Sequence, residues 1–173
     1  YFFLFLISYG HIIAQKIPQI QMPPIDNETL RAKELERRAT NEIPAFAENI
    51  LVQISTNTHG NWTIEDNIAT WQLSIYSPTA YSLNLGFTKF KMPSKGKLWL
   101  MSQDRKQVLG PYTAVDNESH EEFWSPIVQG DELLVEVTVP VEEKEQLELV
   151  IGYVNHDFMN FGKSLSQGCH LDV

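Results

Sequence analysis

Cysteine is almost missing from this chain: 173 residues carry one, Cys169. A disulfide framework inside the chain is therefore excluded, and the lone thiol of a chain with an apolar leader needs a partner elsewhere or a reactive role. Basic residues are also few, 13 Lys and Arg against 22 Asp and Glu, for a formal net charge of −9. Nucleic-acid phosphates demand a basic face and an anionic membrane surface attracts one, so neither partner suits this composition. Long hydrophobic runs are lacking too. A membrane-spanning helix needs about 20 apolar residues, whereas the opening run YFFLFLI ends at residue 7 and is interrupted by SYGH before IIA resumes. No internal repeat or low-complexity tract occurs, and no GxSxG elbow, EF-hand loop or zinc-ligand spacing can be found.

What is present suits a globular domain of ordinary size with an appendage: 43% hydrophobic and 20% charged residues, with nine Phe, six Tyr and four Trp for a core. Residues 1–14 read as the h-region and cleavage site of a secretory signal peptide, cut between Ala14 and Gln15, and so place the chain outside the cytoplasm. The segment lacks an initiating Met and a basic n-region, as a signal truncated at its front would. A buried N-terminal strand is the alternative. Residues 15–44 form a linker and a helix. KIPQIQMPPI holds three prolines and is expected to be extended. Asp26-Asn27 offers an N-cap for ETLRAKELERRAT, in which Glu34 precedes Arg38 by one helical turn. Leu30 and Leu35 make a poor apolar stripe, so the helix is expected in solvent or against a partner, outside the core.

Beyond Pro44 the period changes to two. NILVQIST, ATWQLSIYS, YSLNLGFTKF, GKLWLMS, DELLVEVTV and QLELVIGYV alternate or run β-rich, with turn signals between them, Gly110-Pro111 among these. Short strands without helical crossovers predict an all-β fold, an antiparallel, jelly-roll-like β-sandwich over residues 45–160. Trp71, Leu73, Ile75, Leu83, Leu85, Leu98, Leu100, Val135, Val137, Leu149 and Ile151 are expected inside.

Catalytic constellations are weak. Asp116, Ser119 and His120 have the residue types of a hydrolase triad, but triad members usually come from distant parts of a chain, and a polar loop explains DNESH as well. His59, His120, His156 and His170 are scattered, and Asp157 beside His156 reads as a turn residue bonded to backbone. Loop carboxylates Asp104, Asp116 or Asp131 could suit calcium, though without a recognised loop pattern. Glu121-Glu122 and Glu142-Glu143-Glu145 read as solvated faces. Trp62, Trp99 and Trp124 could stack on sugars or pack in the core. Sequons occur at Asn27, Asn61 and Asn117.

The wording of the strands and turns is more specific than their period. GNWTIEDNIATWQLSIYSPTAYSLNLGFTKFKMPSKGKLWLMS is followed by VLGPYTAVDN, FWSPIVQGDELLVEVTVP and LELVIGYVNHDF, and the chain ends on GCHLDV. Over residues 50–173 this resembles the N-terminal region of secreted bacterial trypsin-like serine endopeptidases of the lysyl endopeptidase type. In that family a signal peptide leads into a β-rich propeptide domain, and the mature protease opens on a segment similar to SGSCNIDV. Here the corresponding stretch is SQGCHLDV, departing at Gln167 and at His170-Leu171.

The resemblance implies that residues 161–173 are the junction and the first residues of a protease domain. Cys169 would pair with a cysteine of that domain, which would also hold the catalytic His, Asp and Ser. This chain would be its zymogen pro-region, without catalytic, metal or cofactor residues of its own and with the downstream serine protease domain as partner. Lys163 is the only basic residue of MNFGKSLSQG, so the bond between Lys163 and Ser164 is the expected maturation site. A retained module that binds substrate or carbohydrate for a secreted enzyme is the alternative, and an enzyme with an unrecognised site is a third reading.

Overall fold

The computed structural model describes residues 16–161. Eleven strands and one helix follow in order: β1 Gln19–Gln21, α1 Asn27–Ala39, β2 Ala47–Ser55, β3 Asn61–Glu65, β4 Ile68–Tyr76, β5 Ser82–Lys91, β6 Lys97–Ser102, β7 Val108–Tyr112, β8 Phe123–Trp124, β9 Val128–Gln129, β10 Glu132–Pro140 and β11 Glu148–Asp157. They build two facing sheets. Sheet A runs β1-β4-β10-β6-β7 with β3 also on β4, and sheet B runs β2-β11-β5-β8 with β9 also on β5.

Period-2 alternation explains why the sheets face each other. In β4, Trp71, Leu73 and Ile75 point inward and are at most 1% exposed, and in β10 Leu133, Val135, Val137 and Val139 do the same. The register pairs Val137 with Trp71 and Val135 with Leu73, so each apolar row continues across the sheet. From sheet B, Leu83, Leu85, Phe87, Ile151 and Val154 meet them in one continuous core. All eleven residues expected inside are there. The buried Trp71 indole N–H donates to the His59 carbonyl (2.7 Å), avoiding the cost of about 1–3 kcal/mol that an unpaired buried donor would carry. With β1, β3 and β9 set aside, the remaining strands lie in the orders β4-β10-β6-β7 and β2-β11-β5-β8. That is the strand order of a jelly roll.

Two local readings differ from the structure. The proline-rich segment is extended as expected, but it is a sheet strand rather than a linker: β1 lies parallel to β4, pairing Ile20 with Ile75. Met22 is buried and its N–H donates to the Tyr76 carbonyl. Prolines on both sides confine the strand to three residues at a sheet edge, where a missing N–H costs little. Gly110-Pro111 falls inside β7 instead of at a turn. β7 is the far edge of sheet A, the position where a strand tolerates proline.

Helix α1 begins as the sequence predicts. The Asp26 side chain accepts from the N–H groups of Glu28 and Thr29, and Glu34 meets Arg38 at 2.8 Å. The surface it lies on is the end of its own sandwich. Glu34, 1% exposed, accepts from the Ala45 N–H at 2.9 Å, and Arg31 donates to the Phe158 carbonyl at 2.8 Å and to the Tyr81 hydroxyl at 2.6 Å. The bond from Ala45, then that from Arg38, holds the Glu34 carboxyl below its ordinary range. Leu35 stays exposed.

Candidate functional site

The structure separates Asp116, Ser119 and His120 as catalytic partners. The Asp116 carboxylate accepts from the Thr113 N–H (2.6 Å) and closes a capping box over the turn at Ala114–Asp116. His120 Nδ1 accepts from the Glu122 N–H (3.1 Å), and Ser119 and His120 are exposed. The Asp116 and His120 side chains each serve their own loop. Among the described residues no three His, Cys, Asp or Glu side chains converge as metal ligands would. Of the calcium candidates, Asp104 accepts from Ser102 Oγ, and with Lys106 this holds its carboxyl down at about 2. Asp131 lines a shallow groove of about 500 Å³ with Asp104, Lys106 and Glu132.

The acidic stretches are not uniformly solvated. Glu121 pairs with Lys89, but Glu143 is buried, accepting from Ser94 Oγ (2.8 Å) and the Lys95 N–H (2.9 Å). It closes the turn after β5, a role that only the folded register reveals. Two sequon amides are also engaged: Asn117 bonds both N–H and C=O of Met92, and Asn27 is treated below. Ala14, Gln15, Lys163, Ser164, Cys169 and His170 lie outside the described residues.

The polar side chains that do converge sit where α1 meets the end of β11. His156 is fully buried. Its Nδ1 lies 2.8 Å from Ser77 Oγ and its Nε2 lies 2.8 Å from Asn27 Oδ1. Asn27 Nδ2 donates to the Thr79 carbonyl at 2.8 Å, so Oδ1 must be the acceptor and Nε2 must carry the ring proton. Nδ1 then accepts from the Ser77 hydroxyl, and the imidazole is neutral. Burial pushes its pKa below the ordinary value, and the Asp157 carboxylate opposes that only in part.

Asp157 completes the clasp. Its carboxylate accepts from Ser82 Oγ (2.6 Å), the Met159 N–H (2.8 Å) and the Phe161 N–H (2.9 Å). It does the turn work expected of it while fixing the chain as it leaves β11. The clasp thus ties the start of α1 to the exit of the last strand, at one end of the sandwich.

The family model of the lysyl endopeptidase N-terminal domain matches residues 25–158. The chain belongs to that family. In this lysyl endopeptidase N-terminal domain the matched segment opens just before Asn27 and closes just after Asp157, so both halves of the clasp lie inside it. A part of a protease that precedes the enzyme proper, as pro-region or accessory domain, needs no catalytic centre of its own. No described helix is long and apolar enough to cross a membrane.

The other distinctive feature of the lysyl endopeptidase N-terminal domain is the outer face of sheet B. Trp71 is core, Trp62 is half-buried and donates to the Thr56 carbonyl, and Trp99 lies half-buried on sheet A opposite Glu136. Trp124 is different: it is 50% exposed and stacks on Tyr153 with ring centroids 5.3 Å apart. The two rings meet over Gly86, the residue opposite both in the register. A Cβ on Gly86 would lie 2.6 Å from the Trp124 ring, so only glycine leaves room for the indole there. Nothing in the sequence singles out Trp124 from the other tryptophans, because its exposure depends on which residue sits across the strand.

Proposed function

We propose that this domain is the non-catalytic pro-region of a secreted trypsin-like serine endopeptidase, assisting the folding or latency of the protease domain that follows it. The family match carries the reading: the chain is an N-terminal domain of lysyl endopeptidases, and its most deeply buried polar cluster, around His156 and Asp157, ties the fold together. The clasp supports it, because it holds the chain as far as Phe161, where the expected junction begins.

On this reading the signal is removed between Ala14 and Gln15, the parent cuts between Lys163 and Ser164, and Cys169 bonds a cysteine of the protease domain. The test is to refold the downstream protease region of the full-length gene alone and with this chain supplied in trans. The reading requires the chain either to raise the rate or yield of active enzyme on refolding, or to suppress the activity of the refolded enzyme until the chain is removed. Equal yield and activity without it would defeat a folding or latency role.

A further inference from the structure

Beyond the amphipathic pattern that builds its core, the domain presents one uncharged face. Ile50, Val52 and Ile54 of β2 point inward, so Leu51 points out. Val154 and His156 of β11 are fully buried, so Tyr153 and Asn155 point out. Across sheet B the register then sets two outward rows. One runs Leu51, Tyr153, Gly86, Trp124, and the other runs Asn49, Asn155, Asn84. In a chain of net charge −9, neither row contains a charged residue. The charges of this sheet lie at its two ends. At one, Lys89 pairs with Glu121 and Glu148, and Lys91 with Glu148. At the other stand Glu48 and Asp157, where Asp157 is held by Ser82 and the chain exit.

Three features set this face apart. Leu51 is 76% exposed and Trp124 50%, leaving apolar surface open to water. The side-chain amides of Asn49, Asn84 and Asn155 make no hydrogen bond among the described residues, so three donors and acceptors in register remain available. The absence of charge repels nothing and attracts no ion.

Stacking of Trp124 on Tyr153 above Gly86 has a structural use, since aromatic rings can cover a glycine in a sheet. That use accounts for the rings meeting. It leaves unexplained the open half of the indole and the row of free amides beside it.

We infer that this face binds a neutral polysaccharide chain. Sugar rings offer C–H faces that lie on aromatic rings and hydroxyls that both donate and accept, the complement of an indole–phenol platform flanked by amides. Four adjacent strands at about 4.8 Å spacing make the platform about 14 Å long, enough for a short run of sugar rings. Acidic polysaccharides are disfavoured by the charge of the domain. The face is the same whether the domain is later cut from its protease or kept.

The test is affinity electrophoresis of the chain through gels containing soluble cellulose ether, xylan, mixed-linkage β-glucan or glycol chitin, with polygalacturonate as the acidic comparison. Tryptophan fluorescence titration supplies the affinities. The expected result is retardation by at least one neutral polymer and none by polygalacturonate, with binding weakened about tenfold in Trp124→Ala and unchanged in Trp99→Ala on the opposite sheet. Asn155→Asp, which keeps the shape of the row, should weaken binding as well and decides the matter if Trp124→Ala fails to fold. No retardation by any neutral polymer, or equal loss in Trp99→Ala, or full binding by Asn155→Asp and a folded Trp124→Ala, would overturn the inference. So would failure of every polymer while the downstream protease domain protects Trp124 from solvent quenchers, which would make the face a protein interface.

Discussion

Replacing His156 with phenylalanine removes both ring nitrogens while nearly keeping the volume of the ring in the core. Ser77, fully buried, loses the acceptor of its hydroxyl, and Asn27 loses the donor to its Oδ1. An unsatisfied buried polar group costs about 1–3 kcal/mol, and a partner that can turn to water costs less. His156→Phe should therefore destabilise by about 2–3 kcal/mol. In urea that is a midpoint shift of about 1 M for a slope near 2 kcal/mol per M.

The same residue predicts a pH dependence. Its folded pKa lies below the unfolded value near 6.5, so below pH 6.5 the unfolded chain binds a proton that the folded one refuses. The contribution of the neutral ring is complete above pH 6.5 and declines as pH falls through the window beneath it, by at most about 1.4 kcal/mol per pH unit. The assay is urea denaturation followed by tryptophan fluorescence at pH 7.5, 6.5 and 5.5, for parent and variant. The parent should lose stability across this range by more than the variant does. Parallel pH profiles, or a variant as stable as the parent at pH 7.5, would refute the assignment of a neutral, doubly bonded imidazole.

Other outcomes follow from single contacts. Leu98→Ala, at a fully buried site facing the core from β6, should cost about 2–5 kcal/mol in the same denaturation assay. Gly60→Ala should destabilise beyond the usual helix or loop scale of about 1 kcal/mol, because φ is +73° and a Cβ would lie 2.5 Å from the Trp71 indole nitrogen and 2.8 Å from the Gln72 carbonyl. Gly86→Val should push Trp124 off Tyr153, seen as a changed near-ultraviolet circular dichroism signal with far-ultraviolet signal retained. The purified chain should hydrolyse no peptide or ester substrate, and activity that vanished in Ser119→Ala would contradict the loop assignment of that residue.

The sandwich was legible because a buried sheet face imposes a period of two on the chain, and Trp71, Leu73 and Ile75 carry it without help from distant residues. The N-cap at Asp26 was legible for the same reason, being local. The clasp was not. Asn27, Ser77 and His156 are brought together from three parts of the chain, and an isolated histidine at the end of a strand says nothing about which hydroxyl and amide will meet it. The strand character of Gln19–Gln21 was hidden by flanking prolines, whose edge position only the sheet order explains. Glu143 read as solvated because its neighbours are acidic, whereas the Ser94–Lys95 turn that buries it comes from β-strand pairing far upstream. Asp157 reads in the sequence as a turn former, which is half of what it does, since its carboxylate also accepts from Ser82 across the sheet.

The most direct test of the pro-region account is N-terminal sequencing and intact mass of the mature enzyme secreted from the full-length gene, beside a Lys163→Ala variant. The account expects the mature chain to begin at Ser164, without the sandwich, and the variant to keep the domain or to mature elsewhere. A mature enzyme that still carries residues 25–158, or one that begins at the same residue in the Lys163→Ala variant, would contradict it.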